Sequence, residues 1–228
     1  MLKRLRNYFT ESEIILWFSS AALIVISFFI FGGDNVLTLV ASVIGVTSLL
    51  LCAKGNPLGQ ILIIVFSVLY GIVSYSSAYY GEMVTYLGMT APMAVISLVA
   101  WLKNPYKGNK AEVKVSRLRK GEIPVLLLLT AAVTVLFYFI LRFFGTANLA
   151  PSTLSVTTSF IAVYLTFRRS AFFAAAYAAN DIVLIILWVM AAINDISYLS
   201  VVICFVVFLA NDIYGFISWL KRRKEQEI

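Results

Sequence analysis

Long apolar segments alternate with short polar stretches along almost the whole chain, and this pattern predicts eight membrane-spanning helices. Each segment has about 16 to 24 residues, and a helix needs about 20 residues to cross roughly 30 Å of hydrocarbon. The segments lack the strict apolar–polar alternation of barrel strands, so we predict an all-α membrane protein. The apolar segments lie at residues 14–31, 36–52, 57–75, 83–102, 123–143, 152–167, 171–192 and 197–220.

Composition and charge agree with this pattern and predict an orientation. The 228 residues are 61% hydrophobic and 13% charged, as in an integral membrane protein. A net charge of +7 would suggest a nucleic-acid partner in a soluble protein, but here eight spans place 17 of the 18 basic residues on one side. Asp34, Glu82 and Asp195 fall in the loops of the other side. By the positive-inside rule, we expect a multi-pass protein of the inner (plasma) membrane with both termini cytoplasmic, and no nucleic-acid partner.

The residue types that usually hold metals are scarce. Histidine is absent, and Cys52 and Cys204 lie far apart in apolar segments. Most zinc and haem sites, histidine catalysis and a histidine proton relay are therefore excluded, and we expect no metal and no cofactor. The first apolar segment lacks a signal-peptide cleavage site, so we predict that it is a retained helix.

A polar loop divides the chain into similar halves. A shift of 118 residues superposes Trp101 on Trp219, and a shift of 117 superposes Ser42 on Ser159. The nearly constant offset predicts a duplicated three-helix unit, and a single connecting helix gives both units the same orientation. The predicted regions are an N-terminal tail and extra helix (1–31), a first unit (36–102), a basic cytoplasmic loop (103–122), a connecting helix (123–143), a second unit (150–220) and a cytoplasmic tail (221–228).

Two Asn-Asp doublets, Asn180-Asp181 and Asn211-Asp212, lie deep in the last two apolar segments and hold the only carboxylates expected at such depth. No lysine or arginine accompanies them there. An ionisable side chain near the bilayer centre costs roughly 2.5–3.5 kcal/mol on insertion scales, so it persists where it is paired, hydrated or functional. The helical rise places both doublets near the midplane, and we expect them to share one membrane-enclosed site.

Aromatic and polar side chains share helical faces with these doublets. The face of Asp181 carries Tyr177 and Trp188, and stripes in the first unit offer further polar groups. The alternative role of such residues is to join helices by hydrogen bonds and close packing. The predicted substrate-binding residues are Gln60, Tyr86, Thr90, Tyr177, Asn180, Asp181, Trp188, Asn211, Asp212, Tyr214 and Trp219, and no catalytic residue is predicted.

The chemistry of this set indicates the ligand. Carboxylates and amides beside aromatic rings suit a flat ring that is cationic or bears a carboxamide, together with hydroxyl groups. A phosphorylated ligand would need buried arginine or lysine, which these segments lack. We therefore expect a small, neutral or cationic, unphosphorylated substrate.

The stretch Asn211-Asp212-Ile213-Tyr214-Gly215-Phe216-Ile217-Ser218-Trp219, the segment Asn180-Asp181-Ile182 and the 3+1+3 layout together resemble the PnuC family of vitamin transporters. The resemblance implies a fold like that of the SWEET sugar transporters and facilitated uptake of nicotinamide riboside by alternating access. It also implies trapping of the product by cytoplasmic phosphorylation, and a homo-oligomer such as a trimer. In the first unit, Ala94 and Leu98 depart from the family's pattern, which leaves thiamine, riboflavin or a deoxynucleoside open as substrates.

Three other functions are compatible with the sequence. A cation-coupled symporter could use Asp181 or Asp212 as a proton carrier. An intramembrane aspartyl protease could use the two aspartates as an acid–base pair, although both follow asparagine here rather than the tyrosine or glycine of those enzymes. A structural membrane protein is the third alternative.

Overall fold

The computed structural model describes residues 8–31, 36–76, 80–146 and 148–227, which form helices and one small hairpin. Lys3, Arg4, Arg6 and Asp34, used above to predict orientation, lie outside the described residues. The helices are α1 (Glu11–Phe31), α2 (Val36–Ala53), α3 (Leu58–Ser76), α4 (Tyr80–Thr85), α5 (Ala91–Leu102), α6 (Glu122–Phe143), α7 (Leu149–Phe167), α8 (Phe173–Ala192) and α9 (Leu199–Glu227). A π-helical turn (Tyr86–Thr90) joins α4 to α5, a 3₁₀ turn (Ile196–Tyr198) precedes α9, and strands β1 (Pro105–Tyr106) and β2 (Asn109–Val113) form the hairpin.

The described residues contain eight helices long and apolar enough to cross a membrane, which confirms the predicted number. The helices α4 and α5 and the turn between them form one of these spans. The segment predicted at 152–167 begins earlier, at Leu149, and therefore reaches 19 residues. The last helix continues through most of the predicted tail to Glu227.

The two ends of the bundle differ in charge. We call one end the basic face, because it carries Lys54, residues 103–122, Arg168, Arg169 and the basic run at 221–224. We call the other end the opposite face, and it carries Asp195 and the connection between α6 and α7. Between the faces, large apolar side chains such as Phe29, Leu128 and Phe139 point outwards, as expected where a helix contacts lipid tails.

Trp101 and Trp219, which the shift of 118 residues superposes, meet near the basic face. Both side chains are fully buried, and their ring centroids are 5.4 Å apart. The Nε1–H of Trp101 donates to the carbonyl of Thr166 at 2.9 Å, and that of Trp219 donates to the carbonyl of Cys52 at 2.8 Å. Each acceptor is the penultimate residue of the first helix of the other unit. These reciprocal bonds are what a duplicated three-helix unit would produce, and the duplication stays a prediction.

The turns that follow α2 and α7 also repeat each other. Gly55 and Arg169 adopt positive φ angles of 67° and 55°. In both turns this residue donates its N–H to the carbonyl three positions earlier, and the next residue donates to the carbonyl five positions earlier. Such a left-handed residue closes a helix by satisfying its last carbonyls. Residues 55 and 169 are 114 positions apart, three fewer than the sequence match at a shift of 117, a difference close to one helical turn.

The hairpin in the basic loop and the residues that follow it form backbone hydrogen bonds with both units. Its tight turn places Lys107 and Gly108 at positive φ, as hairpin turns commonly require. From the end of β2 the chain crosses the basic face. There the N–H of Val113 donates to the carbonyl of Gly55, and the N–H of Ser116 donates to the carbonyl of Arg169, both at 2.9 Å. The segment 113–116 therefore bonds to the turn that follows the first helix of each unit.

Candidate ligand-binding site

A cavity of about 70 Å³ lies inside the bundle, between helices of both units. Its lining includes three carboxylates, Glu82, Asp181 and Asp212, and the amide of Asn180. Hydroxyl groups of serine and threonine and several aromatic rings complete the wall, and the described residues that line it include no lysine or arginine. The volume suffices for a few water molecules, so a ring-bearing ligand requires the lining side chains to move apart. We call this space the central cavity.

A second and larger pocket, which we call the vestibule, opens at the opposite face. It has a volume of about 310 Å³ and lies between the start of α4, the end of α8 and the connection from α6 to α7. Trp188 and Tyr198 form part of its wall, with ring centroids 5.4 Å apart. Glu82 lines both the vestibule and the central cavity. The two spaces therefore adjoin at this carboxylate.

An aromatic layer closes the central cavity towards the basic face. Phe173 lines the cavity and packs edge-on against Trp219, with ring centroids 4.8 Å apart. Trp101 completes the layer, 6.3 Å from the ring of Phe173. The hairpin covers the same face further out. The structure is therefore closed at the basic face and more open at the opposite face.

The two aspartates of the doublets come together across neighbouring helices. Asp181 on α8 and Asp212 on α9 lie close enough for a hydrogen bond between their carboxyl groups. Both side chains are buried, and Oδ2 of Asp181 has no hydrogen-bond partner among the described residues. Two carboxylates in contact repel each other unless a proton or a cation lies between them. The pair is thus suited to hold positive charge.

Asn180 is positioned by two hydroxyl groups of the neighbouring helix α7. Thr158 Oγ1 and Ser159 Oγ donate to Asn180 Oδ1 at 2.8 and 3.0 Å. These bonds occupy the carbonyl side of the amide, while no described residue accepts a hydrogen bond from its nitrogen. The cavity therefore receives an amide donor with a fixed orientation beside the aspartate pair.

Tyr86 and Thr90 reach the cavity from the π-helical turn that precedes Pro92. The Oγ1–H of Thr90 donates to the carbonyl of Thr85, five residues earlier, at 3.3 Å. A π-helical turn shifts the side chains that follow it around the helix, and such turns are frequent at functional sites. The ring of Tyr86 packs on Tyr70 with centroids 4.6 Å apart, which fixes its direction.

The structure brings six of the predicted site residues to the central cavity and places five elsewhere. Those in the cavity are Tyr86, Thr90, Tyr177, Asn180, Asp181 and Asp212. The other five, Gln60, Trp188, Asn211, Tyr214 and Trp219, do not line it. That the first six bind a substrate stays a prediction.

Asn211 and Tyr214 hold the extra N-terminal helix instead of facing the cavity. Asn211 Nδ2 donates to Ser20 Oγ at 2.9 Å, and the Tyr214 hydroxyl donates to Glu13 Oε1 at 3.0 Å. Glu13 is 3% exposed and also forms an ion pair of 3.0 Å with Lys54. Adjacent helical residues point about 100° apart, so Asn211 faces α1 while Asp212 faces the cavity.

The remaining three residues belong to other layers of the molecule. Gln60 is buried but does not line the cavity, and its Nε2–H donates to Cys52 Sγ at 3.3 Å. Trp219 is part of the aromatic layer, and Trp188 lines the vestibule. All three lie on polar or aromatic stripes in the sequence, but the depth of each stripe relative to the cavity depends on packing.

Glu82 is a cavity residue that the sequence analysis placed in a loop. The predicted span started at residue 83, whereas the helix starts at Tyr80 and buries Glu82 to 9% exposure. Glu82 and Glu13 are buried as well, but each lies in the first turn of its helix and not near the middle of a span. The spacing of Glu82, Tyr86 and Thr90 at four-residue intervals was the available signal, because such residues share one helical face. No three cysteine or acidic side chains among the described residues form a group that could hold a metal ion.

Comparison with known proteins identifies the family. Residues 35–221 match the family described as nicotinamide mononucleotide transporter. The chain is 28% identical over 197 residues to the nicotinamide riboside transporter PnuC of Neisseria mucosa, across 85% of this chain and 75% of that protein. Its fold is similar to the crystal structure of the vitamin B3 transporter PnuC, with a TM-score of 0.82, 24% identity, and coverage of 96% of this chain and 94% of that chain.

These matches confirm the predicted resemblance and exclude the protease and structural alternatives, because the relatives are transporters. Since the family match covers most of the residues, and the eight-helix fold agrees with it, this chain belongs to the PnuC family of membrane transporters.

Proposed function

We propose that this transporter carries nicotinamide riboside, and not its mononucleotide, by facilitated diffusion. The observation that carries the proposal is the charge of the central cavity, which has three carboxylates and, among the described residues, no lysine or arginine. Nicotinamide riboside has a cationic pyridinium ring, a carboxamide and free ribose hydroxyls. The mononucleotide adds a phosphate group, which would be buried against carboxylates without a basic partner.

The cavity offers a complementary group for each part of the riboside. The Asp181–Asp212 pair would neutralise the pyridinium ring, and Tyr86 and Tyr177 offer aromatic faces for stacking and cation–π contact. The amide nitrogen of Asn180 would donate to the carboxamide oxygen or to a ribose hydroxyl. The relative from Neisseria mucosa is a nicotinamide riboside transporter, which supports the same assignment.

Alternating access gives a path that fits the two pockets. The substrate would enter through the vestibule, and the central cavity would widen from about 70 Å³ to receive it. Movement of the two three-helix units would then open the aromatic layer and the hairpin at the basic face. The positive-inside rule favours a cytoplasmic basic face and termini, so this direction is uptake across the plasma membrane, with phosphorylation inside the cell preventing return.

The family resemblance also implies a homo-oligomer. Residues of a single chain line the central cavity, so each subunit of such an assembly would hold its own site. Substrate binding would then not require a partner subunit.

The proposal is tested by calorimetric titration of the purified protein with nicotinamide riboside and with its mononucleotide. We expect the riboside to bind, and the mononucleotide to bind at least about a hundredfold more weakly, because its phosphate lacks a basic partner. Thiamine, riboflavin and a deoxynucleoside serve as comparison ligands. Equal affinity for the riboside and the mononucleotide would contradict the proposal, and tighter binding of one comparison ligand would reassign the substrate.

A further inference from the structure

We propose that Glu82 forms a separate cation-binding position, which selects cationic substrates at the boundary between the vestibule and the central cavity. The inference rests on the proposed function, because it requires a substrate that carries a positive charge. It assigns to Glu82 a specificity role distinct from that of the Asp181–Asp212 pair.

The position of Glu82 supports this role. It lies in the first turn of α4, and it is a wall residue of both pockets. Any solute that passes from the vestibule into the central cavity along this route must pass its carboxylate. The neighbouring Gly81 fits tightly against the connection between α6 and α7, because a Cβ added there would lie 2.8 Å from Thr146 Oγ1. The backbone that carries Glu82 is thus held in place.

The carboxylate of Glu82 lacks a protein partner. It is 9% exposed, and no described residue forms an ion pair or hydrogen bond with it. This contrasts with Glu13, which is buried to a similar degree but has Lys54, Thr10 and Tyr214 as partners. A carboxylate removed from water without compensation is costly inside a membrane, so one that persists favours a functional role. A passing cation would supply the missing partner.

The surroundings of Glu82 suit a flat cationic ring in particular. Trp188 and Tyr198 provide aromatic surfaces in the vestibule, and Tyr86 lies four residues after Glu82, in the π-helical turn that follows α4. Tyr86 lines the central cavity together with Glu82 and Asp181. An aromatic surface beside a carboxylate attracts a cationic ring through cation–π contact and charge pairing together. The aromatic rings and Glu82 thus lie one after another between the vestibule and the aspartate pair.

Glu82 is not part of the aspartate pair itself. No three acidic or cysteine side chains among the described residues come close enough to form one ion-binding group. The carboxyl group that interacts with Asp181 is that of Asp212. A cationic substrate would therefore meet two successive negative sites, the first at Glu82 and the second at the pair.

The test compares nicotinamide riboside with its 1,4-dihydro form, which keeps the carboxamide and ribose but has an uncharged ring. Affinities for both are measured by calorimetry, and initial uptake rates in proteoliposomes, for the wild type and for Glu82→Gln. We expect Glu82→Gln to weaken binding or raise KM for the cationic riboside by about tenfold. The dihydro form should change by less than about twofold, so the preference for the cation should fall.

Asp195→Asn is the matched control. Asp195 is a carboxylate at the same face, but it lines neither pocket and instead caps the 3₁₀ turn by accepting from Ser197 N–H at 2.9 Å. Asparagine can cap in the same way, so both ligands should behave as in the wild type. An equal effect of Asp195→Asn and Glu82→Gln on the riboside would indicate a general surface-charge effect and overturn the inference.

The remaining outcomes separate the inference from the proposed function. If the wild type fails to bind nicotinamide riboside, the proposed function fails. If the wild type binds it but Glu82→Gln affects both forms equally or neither, only the role of Glu82 fails. Should Glu82→Gln not give folded protein, Glu82→Asp, which keeps the charge, must retain the preference for the cationic form, and loss of that preference would contradict the inference.

Discussion

The two Asn-Asp doublets show how adjacent residues take different roles. In α8 both members of the doublet line the cavity, while in α9 only Asp212 does so and Asn211 bonds to Ser20 of α1. The difference follows from the rotation of each helix about its axis, since neighbouring side chains diverge by about 100°. In α8 both residues of the doublet therefore belong to the cavity, whereas in α9 the aspartate belongs to the cavity and the asparagine holds a neighbouring helix.

This difference predicts that one asparagine variant loses affinity for the substrate and that the other loses stability. Asn180→Ala removes the donor in the cavity, and we expect affinity for nicotinamide riboside to fall by about tenfold, the loss of one well-placed hydrogen bond. Asn211→Ala removes a bond between α9 and α1, worth about 0.6 kcal/mol on average within membranes. It should lower the melting temperature slightly and leave affinity close to the wild-type value.

The two variants are measured side by side by calorimetry and by thermal unfolding in detergent. Each serves as the control for the other, because both change a buried asparagine on a helix to alanine. Loss of binding in Asn211→Ala with unchanged stability would mean that Asn211 contacts the substrate after all.

At the scale of elements, the hairpin and the end of α9 form a clasp on the basic face. Gln226 Oε1 accepts from the N–H of Val115 at 2.7 Å, and Arg222 pairs with Glu112 at 2.5 Å. Ion pairs near the protein surface contribute little individually, but this half-buried pair adds to the backbone bonds that join the hairpin to both units. We expect opening of the basic face to require the hairpin to separate from α9.

The clasp predicts that a covalent link across it stops transport but not binding. Val115→Cys and Gln226→Cys are combined and joined by a short bis-methanethiosulfonate cross-linker, which a reductant cleaves. Riboside uptake should fall to background and return after reduction, because the linked hairpin holds the basic face closed. The native Cys52 and Cys204 are buried, which limits their reaction.

A linked pair within one helix is the control for this experiment. Lys221→Cys and Glu225→Cys lie one turn apart on α9, so linking them leaves the clasp free to open. Uptake that continues with residues 115 and 226 linked would show that the hairpin moves as a unit with α9 and does not gate the path.

For the whole molecule, the contact between Asp181 and Asp212 leaves a proton-coupled carrier as the second candidate. A proton between the two carboxyl groups would relieve their repulsion when no substrate is bound, and a cationic ring would displace it. If the pair binds and releases this proton on the same side of the membrane, only the substrate crosses and the transporter moves one net positive charge. If the empty pair carries the proton back across the membrane, one proton is exchanged for each cationic substrate, no net charge moves, and transport depends on the pH gradient.

We expect uniport, so a membrane potential but not a pH gradient should drive accumulation. A potential of 100 mV is worth about 2.3 kcal/mol per charge, which corresponds to roughly fiftyfold accumulation of a monovalent cation. Proteoliposomes with a potassium diffusion potential should concentrate the riboside to this order, and a pH gradient at zero potential should leave uptake unchanged. Accumulation driven by the pH gradient alone would establish proton coupling instead.

The sequence predicted the membrane spans more reliably than the details of the site. The boundaries of α6 agree with the prediction to within one residue, because hydrocarbon thickness imposes a length and a composition on every span. The start of α4 was misplaced by three residues, since Tyr80, Gly81 and Glu82 are not apolar as a group, and this error hid Glu82. The hairpin was predicted only as a polar loop, because its bonds to Gly55 and Arg169 involve backbone groups that leave no side-chain pattern.

The sequence by itself therefore determined the eight spans, the family, the basic face and the depth of the aspartates, all of which depend on the contrast between hydrocarbon and water along a single helix. Only the tertiary structure decided which side of each helix meets the cavity. That rotation is set by packing against neighbouring helices, and lipid supplies no force that would distinguish one apolar side from another. Packing turned Asn211 and Tyr214 towards α1, placed Trp219 in the aromatic layer, and brought Glu82 to the boundary between the two pockets.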